Sequence, residues 1–170
     1  CLSFALHNES HACGQHEIAW QALQRGCAVQ RALAPYDRAR QEALMAQVKS
    51  MCTPDFVVPV ERRDALTPIF IVGMHRSGTT LLERILAGHS QIADGGETYA
   101  FTAQMDLAVD HKTAGALDAT TTTRLAGADF EAIGAGFIRA LHGRAGGRAF
   151  VTEKLPSNFI NIGFIAKALP

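Results

Sequence analysis

What this sequence lacks narrows its function before any motif is read. No apolar run is longer than about six residues, IFIVGM at 69–74, against the roughly twenty that a membrane-spanning helix needs. No basic stretch followed by an apolar one opens the chain, so no secretory leader is expected. Charge of one sign is missing as well. Sixteen Lys and Arg balance sixteen Asp and Glu, so no whole-chain field calls for nucleic acid or a membrane surface, and any anion site has to be local. The four cysteines, Cys1, Cys13, Cys27 and Cys52, contain no Cys-x-x-Cys pair. Free thiols in a reducing, cytoplasmic compartment are the expected state. The alternative is a zinc site using His7 and His11, at i and i+4 near Cys13, but four ligands at structural spacing cannot be assembled there without distant help. No metal is therefore expected.

What is present is a globular composition. Hydrophobic residues make up 48% and charged residues 19%, which excludes a disordered chain. The length of 170 residues suits one domain, or a small module with part of a larger one. The chain starts at Cys1 rather than Met and stops at Ala168-Leu169-Pro170, immediately after an apolar helical pattern. It is expected to be a piece of a longer protein.

Two helices are expected over 2–11 and 15–34, around the break at Gly14. The second carries Ile18, Ala22, Gly26, Val29 and Leu33 at helical spacing, with Ala19, Leu23 and Cys27 beside them, a wide stripe suited to packing on another helix. A third helix is expected over 38–51, with Leu44, Val48 and Met51 on one face. The segment CTPDFVVPVERRDALTP carries Pro54, Pro59 and Pro68 and reads as a linker, which places a boundary near residue 66. From there the pattern turns to strand, loop and helix in series. Strands are expected at 69–72, buried on both faces, at 91–93 and at 149–152. Helices are expected over 79–87, with Leu81, Leu82, Ile85 and Leu86 inward, around Phe130–Leu141, and over 157–169. The polar stretch 110–127 reads as a loop with a helix start, its threonine run serving capping and surface. Such a series means an α/β fold with a mainly parallel sheet.

The stretch IFIVGMHRSGTTLLERIL, 69–86, nearly spells the nucleotide-binding G-x-x-x-x-G-K-[ST] loop. Gly73 and Gly78 fit it. The lysine is absent, since Thr79 stands in its place, and the basic residue, Arg76, lies three positions earlier. A tight glycine turn between a buried strand and a helix aims backbone N–H groups and the helix dipole at one point, which suits a phosphate or sulfate. Ser77, Thr79 and Thr80 add hydroxyl groups. Without the lysine, a chain of bridging phosphates is poorly served, and a single phosphate with Arg76 beside it fits better. A kinase or NTPase remains an alternative, but no apolar run ends in the Asp that would hold its Mg²⁺. A non-catalytic helical interaction module is the other alternative.

The arrangement P-I-F-I-V-G-x-x-R-S-G-T-T-L-L resembles the 5′-phosphosulfate loop of sulfotransferases that use 3′-phosphoadenosine-5′-phosphosulfate (PAPS). The R-S-G-T-T form is similar to tyrosylprotein sulfotransferases and to bacterial proteins in which tetratricopeptide repeats precede such a domain. Residues 94–98, DGGET, resemble the segment that supplies the catalytic glutamate, and 153–159, EKLPSNF, the K-x-P segment. The resemblance implies a P-loop-type three-layer α/β domain at 67–170, preceded at 1–66 by a tetratricopeptide-like helical segment and linker. It implies catalytic roles for Arg76, Glu97 and Lys154, and donor binding by Gly73, His75, Arg76, Ser77, Gly78, Thr79 and Thr80, with no metal. The acceptor hydroxyl would belong to a protein tyrosine, a glycan or a small molecule, and a protein or peptide acceptor could be presented by the helical segment. The resemblance also implies that the 3′-phosphate and adenine contacts follow residue 170. These 170 residues alone are then expected not to catalyse, and the apolar face carrying Ile160, Phe164 and Ile165 is expected to be partly exposed.

Overall fold

The computed structural model of the chain describes residues 2–58 and 66–169. Much of the expected linker, including Pro59, therefore lies outside the described residues, as do Cys1 and Pro170. The chain divides into two compact units, Cys1–Glu42 and Ala43–Pro170.

The first unit is built on a helical hairpin, α1 (Leu2–Ala12) and α2 (His16–Leu33), followed by the start of α3 (Arg38–Met51). Gly14 makes the break at a φ of 72°, a left-handed conformation that glycine adopts without a Cβ penalty. Only the small residues of the α2 stripe, Ala19, Ala22 and Gly26, are buried. Ile18, Val29 and Leu33 are exposed, which corrects the wide stripe read from the sequence. The reason is close approach: a Cβ on Gly26 would lie 2.9 Å from the Phe4 ring. The Phe4 ring fills the space over Gly26, so only small residues fit beside it in this stripe. The thiols of Cys13 and Cys27 are exposed and that of Cys52 is half-buried, none of them in a disulfide. His7 and His11 have ring centres 6.0 Å apart, but no group of His, Cys, Asp or Glu among the described residues is placed to hold a metal ion. No helix among the described residues is long and apolar enough to cross a membrane.

The second unit is mixed helix and parallel sheet. Its strands are β1 (Thr67–Phe70), β2 (Ile92–Ala93) and β3 (Phe150–Glu153), in the order β1-β3-β2, with β3 parallel to both neighbours. Strand β1 begins two residues earlier than expected, at Thr67, and is half-buried rather than buried on both faces. Among the described residues it pairs with β3 alone, and a strand end with one free side tolerates Pro68, which has no N–H to give. Helix α4 (Thr79–Ala87) follows the glycine loop as expected, but its polarity is reversed. Leu81, Leu82 and Ile85 are exposed while Glu83 is buried.

Between β2 and β3 lie α5 (Ala100–Val109), α6 (Ala119–Leu125) and α7 (Phe130–Ala145). Helix α5 was not expected from the sequence. It buries Phe101, Thr102, Met105 and Val109, a single helical face whose regular apolar spacing is broken by Thr102. The helix start expected within 110–127 is that of α6, but its threonines are not all at the surface. Thr121 and Thr122 are fully buried in α6, where Thr121 meets the Thr113 hydroxyl at 2.8 Å and Thr122 donates to the Asp118 carbonyl. Asp118 caps this helix through the Thr121 N–H and also accepts from the Ala114 N–H and from His111. Burial alone would raise the Asp118 carboxyl, but those hydrogen bonds hold it well below the usual carboxylate range.

After β3 the chain makes a 3-10 turn at Pro156–Asn161 and then α8 (Ile162–Ala168). Ile160, Phe164 and Ile165 are buried, not partly exposed. Phe56 meets Phe164 edge-on and Phe130 stacks on it, with ring centres 6.2 and 6.3 Å apart. The centre of the core is a second aromatic set, in which Phe137 of α7 stacks on Phe70 of β1 at 5.4 Å and meets Phe101 of α5 at 5.6 Å. Phe137 thus ties the sheet to two helices. Its replacement by alanine is expected to cost about 3–5 kcal/mol, the usual loss for a fully buried phenylalanine. Urea denaturation of the purified chain followed by near-UV circular dichroism measures it, and a loss below about 1 kcal/mol would show that the site collapses around the cavity.

Candidate active site

The parallel pairing brings the carboxyl ends of all three strands together, the edge at which open α/β sheets bind ligands. Loop 73–78 leaves β1, loop 94–98 leaves β2, and residues 154–156 leave β3. Backbone hydrogen bonds stitch the three. The Gly73 N–H donates to the Pro156 carbonyl at 3.3 Å, and the Lys154 N–H donates to the Gly96 carbonyl at 2.9 Å.

A cleft of about 280 Å³ opens at this junction, lined by His75, Arg76, Gly78, Thr79, Thr80, Glu97 and Pro156. Gly78 stands just before α4 at a φ of 93°, and its turn points the start of the helix toward the cleft. The backbone N–H groups of Gly78, Thr79 and Thr80 find no hydrogen-bond partner among the described residues. They are the free donors of a helix start, and with the dipole behind them they can hold an anion. Arg76 is exposed, sits at a φ of 65°, and has no ion-pair partner among the described residues. Its guanidinium is therefore available for bidentate contact with an oxyanion.

Three of the residues singled out in the sequence lie outside the lining. Gly73 anchors the loop through its bond to Pro156. Ser77 turns its hydroxyl back onto the Met74 carbonyl at 2.6 Å, so its proton is used within the loop. Lys154 is buried and reaches the site through Glu97, its Nζ lying 2.6 Å from Glu97 Oε1. The Glu97 side chain is half-exposed, at 46%, which leaves a carboxylate oxygen within reach of solvent and of anything bound in the cleft.

The residues behind loop 94–98 carried no role in the sequence reading. The buried Glu83 carboxylate accepts from the Gly96 N–H at 3.1 Å and from the Thr152 hydroxyl at 2.8 Å. Thr152 Oγ1 in turn accepts from the Gly95 N–H at 3.0 Å. On the other side, Glu153 accepts from the hydroxyl and the N–H of Thr98. Arg144 donates to the Gly95 carbonyl at 2.9 Å, and Arg84 pairs with Asp94. Two glycines make the packing possible. A Cβ on Gly95 would lie 1.8 Å from the Thr152 carbonyl oxygen, and Gly96 has a φ of 71°. The signal for this network was the Gly-Gly pair, together with a lone acidic residue among the leucines of α4.

The "Sulfotransferase family" profile matches residues 68–170. The chain is also similar to an uncharacterized protein of Aquifex aeolicus (strain VF5), 30% identical over 96 residues, which is 55% of this chain and 13% of that protein. The chain thus spans a small part of that relative's length. No solved structure matches it.

Glu153 gives the site a measurable pH signature. Burial pushes its carboxyl above the ordinary value of 4.5, a rise to which Glu83 adds and which Thr98 and Arg144 oppose. A carboxyl that holds its proton more tightly folded than unfolded contributes stability that is full below its ordinary pKa. That contribution is lost as pH rises through the raised value. Glu153→Gln removes the titration. The unfolding free energy of the variant, relative to the parent, is expected to improve as pH rises above the ordinary glutamate value. Urea denaturation at stepped pH reads the difference, and a difference independent of pH would contradict the assigned burial cost.

Proposed function

Since this chain belongs to the sulfotransferase family, we propose that it transfers a sulfuryl group from PAPS to an acceptor hydroxyl, using the cleft between the three strand ends. The observation that carries the reading is the meeting around one cleft of Arg76 and the N–H groups at 78–80, which have no partner among the described residues, with the half-exposed Glu97. The donor set suits an anion of single-phosphate size, and the cleft volume leaves room for an acceptor group beside it. We place this domain at 67–170, with a tetratricopeptide-like segment and linker at 1–66 that presents a protein or peptide acceptor, in the cytoplasm.

The bound donor would supply a sulfuryl group carried on a phosphate leaving group. The N–H groups of Gly78, Thr79 and Thr80 would hold that phosphate, aided by the threonine hydroxyls, with Gly73, His75 and Ser77 shaping the loop. Arg76 would grip the oxyanion on its open side. Glu97 would take the proton of the acceptor hydroxyl as the new O–S bond forms. Lys154, at 2.6 Å from Glu97, would neutralise the charge that gathers on the bridging oxygen as the old O–S bond breaks. Little covalent work falls to the protein; positioning and charge stabilisation carry the rate.

The reading is tested on the full-length protein by calorimetric titration with PAPS, adenosine 3′,5′-bisphosphate and ATP. Tight binding of the first two without metal is expected, and Mg²⁺-dependent binding of ATP in their place would favour a kinase or NTPase. Arg76→Ala is expected to abolish transfer and Arg76→Lys to keep part of it, because lysine restores the charge without the bidentate fork. Arg76→Ala with turnover near that of the parent would remove Arg76 from the mechanism. Glu97→Gln is expected to lower kcat by roughly 10²–10⁴, the contribution of a positioned general base. PAPS affinity should stay nearly unchanged, and an unaltered kcat would show that another group takes the proton.

A further inference from the structure

We propose that Thr152 and Glu83 are positioning residues that set the Glu97 carboxylate by clamping the backbone on its amino side. Glu153 clamps the carboxyl side. The proposal rests on the reading of Glu97 as the base. Its first support is geometric. The chain Gly95 N–H to Thr152 hydroxyl to Glu83 carboxylate, with Gly96 N–H on the same carboxylate oxygen, fixes the two residues before Glu97. The two bonds from Thr98 to Glu153 fix the residue after it. Glu97 itself is left half-exposed and ion-paired to Lys154 through Oε1, so its backbone is held on both sides while its carboxylate still faces the cleft.

The second support is energetic. Glu83 is 3% exposed and Glu153 fully buried. Placing two carboxylates so close together inside a fold is costly. If α4 served packing alone, a leucine would occupy position 83. The helix instead turns Leu81, Leu82 and Ile85 outward and the carboxylate inward. That inversion is what delivers an acceptor to Gly96 N–H and Thr152. The third support is steric: with 1.8 Å between a would-be Cβ on Gly95 and the Thr152 carbonyl oxygen, the loop lies directly on β3 and has no slack. A base displaced by about 1 Å can lose on the order of 10² in rate, so rigidity at this point bears on turnover rather than on folding alone.

The test uses the full-length protein, with Thr152→Val to remove the hydroxyl at constant shape and Thr152→Ser to restore it. For Thr152→Val, kcat from PAPS is expected to fall roughly 10–100-fold, with donor affinity by calorimetry held within about twofold of the parent. Amide hydrogen exchange at Gly95 and Gly96, followed by NMR, is expected to quicken by at least about tenfold. Thr152→Ser should recover both. Should Thr152→Val fail to fold, the Glu83 pair decides. Glu83→Gln keeps an acceptor oxygen and should keep most of kcat, whereas Glu83→Ala should lose it in the proportion expected for Thr152→Val. Faster exchange with unchanged kcat would overturn the positioning role, and unchanged exchange would overturn the clamp itself. A parent that transfers nothing from PAPS, yet shows Thr152-dependent exchange, would overturn the function and leave the clamp standing as a feature of the loop.

Discussion

Strand β3 pairs with β1 on one side and β2 on the other, and the candidate site hangs from the carboxyl ends of those three strands. Pairing fixes where each strand stops. The stops in turn fix where loop 73–78, loop 94–98 and the turn at 154–156 can go. The chain runs β1, α4, β2 and only later returns to insert β3 between them. Glu97 and Lys154 are therefore in contact although 57 positions apart in the chain. Aromatic packing of Phe137 against Phe70 and Phe101 holds this arrangement from beneath.

The electrostatics of the site divide into two layers. Toward the cleft lie Arg76 and the N–H groups at 78–80, donors that have no partner among the described residues. Behind loop 94–98 lie two buried carboxylates, Glu83 and Glu153, whose partners are backbone N–H groups, threonine hydroxyls and the nearby charge of Arg144. Glu97 and Lys154 stand between the layers as an ion pair. The inner layer is costly by itself, and its hydrogen bonds return that cost as order in one short loop.

Loop 73–80 was legible because it is local: a glycine turn, hydroxyl residues and an arginine within eight consecutive positions. The strand and helix flanking it followed from the same stretch. The segment DGGET was picked out only through the family resemblance, and why residues 95 and 96 are glycine shows only in the structure, where Gly95 lies against the Thr152 carbonyl and Gly96 has a positive φ. The inverted face of α4 was not legible. Its leucines at helical spacing have the pattern of an inward stripe, and only the long-range bond from Thr152 to Glu83 explains the reversal. Helix α5 was missed because Thr102 and Gln104 interrupt its apolar rhythm. The threonines of α6 were misread because hydroxyls that are paired inside the fold have the same composition as hydroxyls in water. In α2 the stripe was visible, but its burial depended on Phe4 of the opposing helix, fourteen or more positions from any residue of the stripe.

The left-handed backbone of Arg76, at 65°, sets two kinds of selection against each other. Holding a side chain other than glycine there costs about 1–3 kcal/mol, so a library screened for thermal robustness alone would drift toward glycine at this position. The same drift would erase the cleft's guanidinium. On the proposed reading of Arg76, the oxyanion contact is what offsets a backbone conformation that glycine would relax. Directed evolution of this protein for heat tolerance should therefore freeze position 76 and seek its gains elsewhere, for instance at the outward leucines of α4.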